Sequence, residues 1–268
     1  MWMKDVFGTD KPIIGVLHMH ALPTDPKFDA ATGVQGVLEA ARADLKAYEE
    51  GGIDGILFCN EFSIPYTSDV KPVTIACMAR IIGELKSEIK VPMGVCVASD
   101  AMKGFDLAAA VEADFIREIL HGAHAGVYGI SNLDPGAIER HRAELGLMNC
   151  KTMTAVIPEG TRQLAERPLK EVAKTLAFNL NPDTMLVYST TPGSSIDVEQ
   201  VSTIKEVTDT PVFASNGVKA ETVEEILSVA DGAIVATSVK YDGKFFNAVD
   251  PERVKALMER AKAARGDK

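Results

Sequence analysis

The sequence predicts an α/β fold, a single (β/α)8 TIM barrel, from three observations. Short apolar runs rich in β-branched residues alternate with longer runs of helical spacing about eight times along the 268 residues. Several short runs are almost continuously apolar, as buried parallel strands are. No Gly-x-Gly-x-x-Gly follows the first of them, although open doubly wound sheets often begin with that fingerprint. An open α/β sheet is the alternative, but about eight βα units suit a closed barrel better.

The strands and helices are predicted in strict alternation. The strands are IIGVLH (13–18), DGILFCN (54–60), PMGVCVA (92–98), ADFIREI (113–119), KTMTAVI (151–157), DTMLVYS (183–189), PVFAS (211–215) and DGAIVAT (231–237). The helices are predicted at 34–50, 71–88, 104–111, 135–145, 168–179, 197–206, 220–229 and 251–264. Pro135, Pro168 and Pro251 stand at or near helix starts, where a missing N–H is harmless. No linker divides the chain, so residues 1–268 are expected to form one barrel domain.

Composition excludes several classes of protein. A net charge of −10 argues against a nucleic-acid partner, because phosphate binding needs clustered Lys and Arg. The 4 cysteines show no Cys-x-x-Cys spacing, and Cys59 and Cys96 lie in apolar runs, where reduced thiols pack as small hydrophobes. The amino terminus lacks an apolar signal core, and no apolar stretch is long enough to span a membrane. We therefore expect a cytoplasmic protein without membrane insertion.

In a barrel of this kind, the working groups lie at or just beyond the carboxyl ends of the strands. Those positions are unusually polar here. They hold His18, His20, Asn60, Glu61, Ser99, Asp100, Arg117, Glu118, His121, Glu159, Ser189, Thr190, Thr191, Asn216, Thr237, Ser238 and Lys240.

A phosphate site is predicted after the last two strands. ASNGVKAETVEEI supplies Ser215, Asn216 and Gly217 in a small polar turn before a helix, and VATSVKYDG supplies Thr237 and Ser238. Backbone N–H groups in such turns bind phosphate without a cationic side chain. The TTPGSS loop, with Thr190, would complete the pocket, and Arg117 and His121 are further candidates for substrate contact. Alternatively, the glycine only permits a tight turn and the hydroxyl residues only cap helices.

Acids and bases are predicted on the other half of the rim. Glu61 and Asp100 each follow a buried strand, and Glu118 ends another, so carboxylates could converge where a proton must move at a carbonyl or sugar carbon. If Phe115 faces the helices, strand alternation points Glu118 into the barrel. His18 could act as acid, base or metal ligand. Each of these side chains is alternatively a structural cap, an ion-pair partner or a packed histidine.

No cofactor and no metal ligand is assigned from the sequence. A divalent metal remains possible because several donors could meet across the mouth, although no local spacing announces a site. These donors are His18, His20, Glu61, Asp100 and His121. A Schiff-base lysine is disfavoured, because Lys151 lies at the amino-terminal end of its strand and Lys240 lies beyond the eighth strand.

Several segments together resemble the BtpA/SgcQ family over about residues 11 to 260. They are IIGVLHMHALP, YEEGGIDGILFCNEFSIPY, VPMGVCVASD, ADFIREILHGA, ADGAIVATSVKYDG and NAVDPERV. The segment PVFASNGVKAETVEEILSVADGAIVATSVK also resembles the phosphate-binding end of tryptophan synthase α chains. The chain departs from the usual family pattern at Ser99-Asp100, at Arg117-Glu118-Ile119 and at Ser215-Asn216-Gly217, which keeps the last glycine of the family's Gly-Ser-Gly.

The resemblance implies a TIM barrel related to phosphate-binding enzymes, but no agreed reaction. We expect an enzyme that binds a small phosphorylated sugar or related metabolite and catalyses isomerisation, epimerisation or retro-aldol (lyase) chemistry. Glu61 and Asp100 would exchange protons with the substrate, and His18 and Glu118 would polarise or orient it. The alternative is a non-catalytic assembly or regulatory factor, of the kind that the family links to photosystem I biogenesis. A homo-oligomer is the default expectation for the assembly state.

Overall fold

A computed structural model of the chain describes residues 2–189 and 196–267. Its strands are β1 (Ile13–His18), β2 (Gly55–Cys59), β3 (Met93–Cys96), β4 (Phe115–Glu118), β5 (Ala123–Gly126), β6 (Gly129–Asn132), β7 (Lys151–Ala155), β8 (Thr161–Gln163), β9 (Thr184–Val187), β10 (Val212–Ala214) and β11 (Gly232–Val235). Eight of them, β1-β2-β3-β4-β7-β9-β10-β11, are parallel and close into a barrel through the β1–β11 pair. The predicted (β/α)8 barrel is confirmed, and each of these strands lies within a predicted segment.

Helices alternate with the barrel strands as predicted. They are α2 (Gly33–Glu50), α3 (Pro72–Leu85), α4 (Ala101–Val111), α5 (Pro135–Glu144), α6 (Leu169–Asn179), α7 (Val198–Lys205), α8 (Val223–Val229) and α9 (Pro251–Arg265). Aspartates cap several of them, and Pro135 and Pro251 begin α5 and α9 immediately after such caps. No helix in the described parts of the chain is both long and apolar enough to cross a membrane.

The barrel interior is filled by alternate residues of the strands. The inward side chains form one apolar cluster of Ile14, Val16, Leu57, Cys59, Cys96, Phe115, Met153, Leu186, Phe213 and Ile234, which Met3 from the amino-terminal segment joins. A second and larger cluster packs the outer faces of the strands against the helices. Only glycine fits at position 94, because the Phe115 ring occupies the space where a Cβ would lie. This alternation decides which residue at each strand end faces the mouth, by which we mean the opening at the carboxyl ends of the strands.

A short amino-terminal helix that the sequence did not predict, α1 (Trp2–Phe7), packs at the opposite end of the barrel. Trp2, Met3 and Phe7 pack with the inner apolar cluster, and Trp2 Nε1 donates a hydrogen bond to the carbonyl of Asp183, 3.0 Å away. The apolar side chains of α1 therefore cover the floor of the barrel.

Four aspartates fasten neighbouring strands in pairs at the amino-terminal end. Each precedes a strand and accepts a hydrogen bond from a backbone N–H at or near the start of the strand before it. The contacts are Asp54 with Ile13, Asp114 with Met93, Asp183 with Thr152 and Asp231 with Val212, at 2.8, 2.9, 2.9 and 2.9 Å. The contact recurs at every second barrel strand, so the same hydrogen bond links four pairs of neighbouring strands on the side away from the mouth.

A small antiparallel sheet, in the order β6-β5-β8, is inserted after β4 and β7. The sequence analysis did not predict it. The turn of its β5–β6 hairpin carries Tyr128, whose ring lies 5.2 Å from that of Tyr66, and Tyr66 donates a hydrogen bond to the carbonyl of Glu61. The hairpin therefore reaches from the β4 side of the mouth to the loop after β2.

Candidate active site

Four charged or titratable side chains form a continuous chain of contacts across one half of the mouth, which we call the charged row. Lys240 Nζ lies 3.1 Å from His18 Nδ1, and His18 Nε2 lies 2.8 Å from Glu61 Oε2. The other carboxylate oxygen of Glu61 accepts a hydrogen bond from the guanidinium of Arg117. The charged row thus brings together three residues that the sequence analysis selected and one that it set aside.

Strand alternation explains why these side chains converge. His18 ends β1 in register with Cys59 of β2, and both follow the inward parity of Val16 and Leu57. Glu61 lies two residues beyond Cys59 and keeps the same direction. Arg117 shares the inward parity of Phe115 on β4. The row therefore follows from the register of the barrel rather than from any local motif.

His18 is completely buried and held between a cation and an anion. Lys240 is a donor only, so it donates to Nδ1, which leaves the proton on Nε2, the ring nitrogen that lies beside the Glu61 carboxylate. Burial lowers the pKa of His18. The positive charges of Lys240 and Arg117 lower this pKa further, whereas the negative charge of Glu61 raises it. These contacts define a neutral imidazole with a fixed tautomer, which lies between Lys240 and Glu61.

Glu61 is the member of the row that meets solvent, with 20 % of its side chain exposed. Burial favours the protonated acid, but Arg117 and His18 outweigh burial and hold the pKa of Glu61 well below its usual range. The group is therefore a carboxylate whose two oxygens are each held by a different donor. Its proton affinity depends on whether Arg117 stays in place.

Lys240 is fully buried although it lies beyond the eighth barrel strand. Its ammonium lies 4.6 Å from the centre of the Phe62 ring and donates a hydrogen bond of 2.7 Å to the carbonyl of Phe245. Burial lowers the pKa of Lys240 to about 8, against the opposing charges of Asp44 and Glu61. The segment after the strand folds back towards β1, which the position of Lys240 in VATSVKYDG could not reveal.

The half of the mouth predicted to bind phosphate is cross-linked by its own side chains. Asn216 Oδ1 accepts a 2.7 Å hydrogen bond from the backbone N–H of Ser189, and its Nδ2 donates to Glu159 Oε1 at 2.5 Å. Gly217 has a φ of +68°, a left-handed conformation that favours glycine. Ser215 follows the inward parity of Phe213 and is buried. The Asn216 side chain thus holds three strand-end loops together instead of projecting freely into the mouth.

Two hydroxyl residues after β11 lie in a 3₁₀ turn, Thr237–Val239. Ser238 Oγ donates a 2.6 Å hydrogen bond to the carbonyl of Val218, which ties this turn to the loop after β10. The turns predicted to share a phosphate are therefore neighbours. Thr190, predicted to complete the pocket, lies outside the described residues.

Glu159 is a titratable group of the mouth that the sequence analysis noted at a strand end but did not select. Burial raises its pKa, while the hydrogen bond from Asn216 and the charge of Arg117 oppose the increase. The negative charge of Glu61 also raises the pKa of Glu159, so the two carboxyl groups interact electrostatically across the mouth. The only available signal was its place just beyond the predicted strand 151–157.

Glu118 does not point into the barrel, because that direction depended on Phe115 facing the helices, and Phe115 does not. Phe115 faces the barrel interior, so Arg117 points inward and Glu118 points to the helices. Its Oε1 accepts a 2.6 Å hydrogen bond from the N–H of Val97, and it occupies the space left by Gly104 on α4. Burial raises the pKa of Glu118 well above its usual value. Glu118 therefore lies outside the mouth, behind the β3–β4 wall.

Two other predicted residues have backbone partners at the rim. Asp100 caps α4 by accepting from the N–H of Lys103 at 3.2 Å, and it also accepts from Val70 at 3.1 Å. His121 Nε2 lies 2.7 Å from the carbonyl oxygen of Ala155. Neither contact connects these residues to the charged row.

The five donors considered for a metal are divided between separate places. His18 and Glu61 belong to the charged row, whereas Asp100 and His121 have the backbone partners given above. His20 is exposed, and its ring packs 5.6 Å from that of Phe62. In residues 2–189 and 196–267, no three His, Cys, Asp or Glu side chains are grouped as metal ligands.

Comparison with known proteins gives a match to the model of the BtpA family over residues 9–263. The putative sgc region protein SgcQ of Escherichia coli K12 is 45% identical over 260 residues, 97% of each chain. The photosystem I biogenesis protein BtpA of Synechocystis is 29% identical over 267 residues, which cover 97% of this chain and 91% of that protein.

Solved structures share the fold at low sequence identity. Phosphoribosyl anthranilate isomerase from Thermus thermophilus superposes with a TM-score of 0.58 at 11% identity, over 95% of this chain and 100% of that chain. The N-acetylmannosamine-6-phosphate 2-epimerase from Clostridium perfringens gives a TM-score of 0.55 at 14% identity, over 94% of each chain. At these identities the likeness establishes a common architecture.

Proposed function

The chain belongs to the BtpA family, and from this premise we propose that it is an enzyme acting on a small phosphorylated sugar or related metabolite. The proposed step is proton transfer at a carbon beside a carbonyl group, which isomerisation and epimerisation share. Retro-aldol cleavage would use the same acid–base groups on a neighbouring bond. The structural neighbours named as an isomerase and a 2-epimerase of phosphorylated compounds support this choice.

The observation that carries the proposal is the pair of carboxyl groups with opposite pKa shifts. Arg117 and His18 keep Glu61 ionised, whereas burial favours the protonated form of Glu159. Two titratable groups whose surroundings push their pKa values apart divide naturally into a base and an acid. Glu61 is therefore assigned the base and Glu159 the acid.

Arg117 gives Glu61 a way to become a stronger base when substrate binds. In the free protein, the charge of the guanidinium is the strongest single influence that lowers the pKa of Glu61. A carbonyl or enolate oxygen of the substrate that accepts a hydrogen bond from Arg117 weakens that hold, so the proton affinity of Glu61 rises. The same guanidinium then faces the oxygen on which negative charge develops.

Phosphate is assigned to the other half of the mouth, where Ser215, Gly217 and the Thr237–Val239 turn meet. The Ser238–Val218 hydrogen bond holds the two turns together. The N–H groups of Ser215 and Val239 donate to Val187 and Ala236, so the phosphate would be bound by the other backbone N–H groups of the turns, such as that of Gly217. A phosphate bound at these turns, on the other half of the mouth from Glu61, would orient the reacting carbon without contacting it.

Solvent-exchange measurements test the proton transfer whatever the product is. Wild-type protein is incubated in D2O with a set of pentose, hexose and N-acylhexosamine phosphates, and deuterium incorporation at carbon is followed by mass spectrometry. We expect incorporation into at least one compound, and a loss of at least about a hundredfold in the Glu61→Gln variant. Glu259→Gln, an exposed change on α9, is the matched control.

Two results would contradict this proposal. One is exchange by Glu61→Gln at the wild-type rate, with folding verified by circular dichroism. The other is the absence of both deuterium incorporation and thermal stabilisation with every phosphorylated compound of the set, because a ligand that binds the native state raises its apparent stability.

A second candidate function, an assembly factor, is favoured by the exposed apolar tip of the β5–β6 hairpin. Val127 is 87% exposed, Ile130 71% and Tyr128 56%. A scaffold would depend on this tip and not on Glu61, so Val127→Ser/Ile130→Ser would abolish its role in cells while Glu61→Gln would not. The predicted homo-oligomer, which sedimentation velocity tests, would also use an apolar surface of this kind.

A further inference from the structure

Beneath Arg117 lie two cysteines that the proposed proton transfer does not use. Cys59 and Cys96 are register partners on β2 and β3, and both side chains belong to the inner cluster of the barrel. Adjacent strands lie about 4.8 Å apart, which falls within the range of Cα separations that a disulfide spans. The two sulfurs therefore face each other across one strand spacing.

Arg117 contacts both sulfur atoms. Its Nη2 lies 3.3 Å from Cys96 Sγ and 3.5 Å from Cys59 Sγ, on the same guanidinium that holds Glu61. A fixed cation beside a thiol favours the thiolate, which is the reactive form of cysteine.

The two thiols differ in a way that assigns each a role. Hydrogen bonding from Cys59 lowers the pKa of Cys96, against burial and with the help of Arg117, while burial raises the pKa of Cys59. Cys96 also keeps 5% of its surface exposed, whereas Cys59 is fully buried. Cys96 is thus the less buried of the two thiols and the one whose pKa is lowered, and Cys59 is its neighbour within the barrel.

We propose that Cys59 and Cys96 form a peroxide-sensitive dithiol, which closes to a disulfide beneath Arg117. The Cys96 thiolate attacks one oxygen of a hydroperoxide, the O–O bond breaks, and the departing oxygen takes up a proton to leave as an alcohol or water. Cys59 sulfur then attacks the Cys96 sulfenic acid, the S–O bond breaks, and the Cys59 proton leaves with the hydroxyl as water. Two thiols are oxidised by two electrons and one hydroperoxide is reduced.

The remaining two cysteines provide an internal comparison. Cys77 is more exposed than Cys96, but burial raises its pKa, and burial raises the pKa of Cys150 to about 12. If exposure governed oxidation, Cys77 would react first. The position of Arg117 makes Cys96 react first.

The experiment follows the native full-length protein after addition of stoichiometric hydrogen peroxide at neutral pH. Samples are quenched in acid, free thiols are alkylated, and intact mass is combined with peptide mapping. We expect the loss of two hydrogen atoms in mass and a Cys59–Cys96 linked peptide. Cys59→Ser should stop at a sulfenic acid on Cys96, which dimedone traps, and Cys96→Ser should leave Cys59 unoxidised. The Cys77→Ser/Cys150→Ser protein should behave as wild type.

Three outcomes would overturn the proposal: first oxidation at Cys77, a stable sulfenic acid on Cys96 in wild-type protein without cross-linking, or no oxidation of the pair under these conditions. The wild-type mass measurement stands even if a serine variant folds poorly. Because no arm uses a phosphorylated sugar, the result does not depend on the enzymatic activity proposed above. Closure would remove the thiolate that faces Arg117, which would couple the oxidation state to the guanidinium assigned to substrate.

Discussion

Lys240 Nζ donates to His18 Nδ1 across 3.1 Å, although the two residues are 222 positions apart in the chain. The contact joins the segment after the last barrel strand to the end of the first. It determines which imidazole nitrogen carries the proton that is shared with Glu61. A lysine set aside by sequence reasoning therefore orients the residues proposed to move a proton.

We expect Lys240 to lose its proton near pH 8, because burial lowers its pKa from 10.5 to about 8. With lysine labelled at Cε by ¹³C, one NMR signal should titrate near this pH and should be missing from Lys240→Met. Observation of ordinary titration for every lysine signal would contradict the assignment.

The same shift predicts how stability depends on pH. Between about 8 and 10.5, the unfolded state holds the Lys240 proton while the folded state has released it. The free energy of unfolding therefore gains a contribution that rises with pH in this window. Urea titrations at several pH values should show that rise in wild type and a smaller one in Lys240→Met.

His18 is expected to remain neutral at pH 7 with its proton on Nε2, since burial and Lys240 lower its pKa. Long-range ¹H–¹⁵N spectra of the imidazoles distinguish the two tautomers directly. The spectrum should show the Nε2–H form in wild type. His141, which lies on α5 and is paired with Asp106, provides a reference signal from outside the mouth.

Glu159→Gln should remove one limb of the pH profile of the deuterium exchange. A protonated acid is lost as the pH rises, so the wild-type rate should fall on the alkaline side at a pH above the usual range of a carboxyl group. The amide variant should exchange more slowly and without that fall. Glu166→Gln, an exposed change, should keep the wild-type profile.

Ser238→Ala should weaken phosphate binding about fivefold, because one hydrogen bond between the two turns contributes about 1 kcal/mol. The measurement is the shift in melting temperature with inorganic phosphate. Ser228→Ala on α8 removes a comparable hydroxyl contact away from the mouth and should leave the shift unchanged. An equal loss in both variants would argue against a phosphate site at the turns.

Asp231→Ala should reduce the free energy of unfolding by about 1.5–3 kcal/mol, because hydrogen bonds to charged groups have this magnitude. Asp231 accepts from Val212 at 2.9 Å and pairs with Lys205 at 2.6 Å. Chemical denaturation measures the change, and Asp209→Ala on an exposed turn is the control. Phosphate binding should be unaffected at temperatures where the variant is folded.

Much of the site could be predicted because strand ends are readable from the sequence. The apolar run IIGVLH shows where β1 ends, so its pattern alone is enough to place His18 at the mouth. In the same way, the run DGILFCN shows where β2 ends and places Glu61 just beyond that strand. The inward direction of Arg117 could not be derived. Phe115 is apolar, and apolar side chains cover both faces of a barrel strand, so the parity of β4 was ambiguous. The same ambiguity left the direction of Glu118 conditional, and the structure places it on the helix side of the strand.

The amino-acid sequence is sufficient to predict the barrel, the order of its strands and the set of polar side chains at its mouth, because hydrophobic periodicity is a local property of the chain. Which of those side chains meet depends on the tertiary structure. Lys240 reaches His18, and Glu159 reaches Asn216, through loops whose paths depend on contacts between distant segments. Proton affinities depend on those contacts and on burial, so the opposite pKa shifts of Glu61 and Glu159, on which the proposed base and acid rest, follow only from the closed barrel.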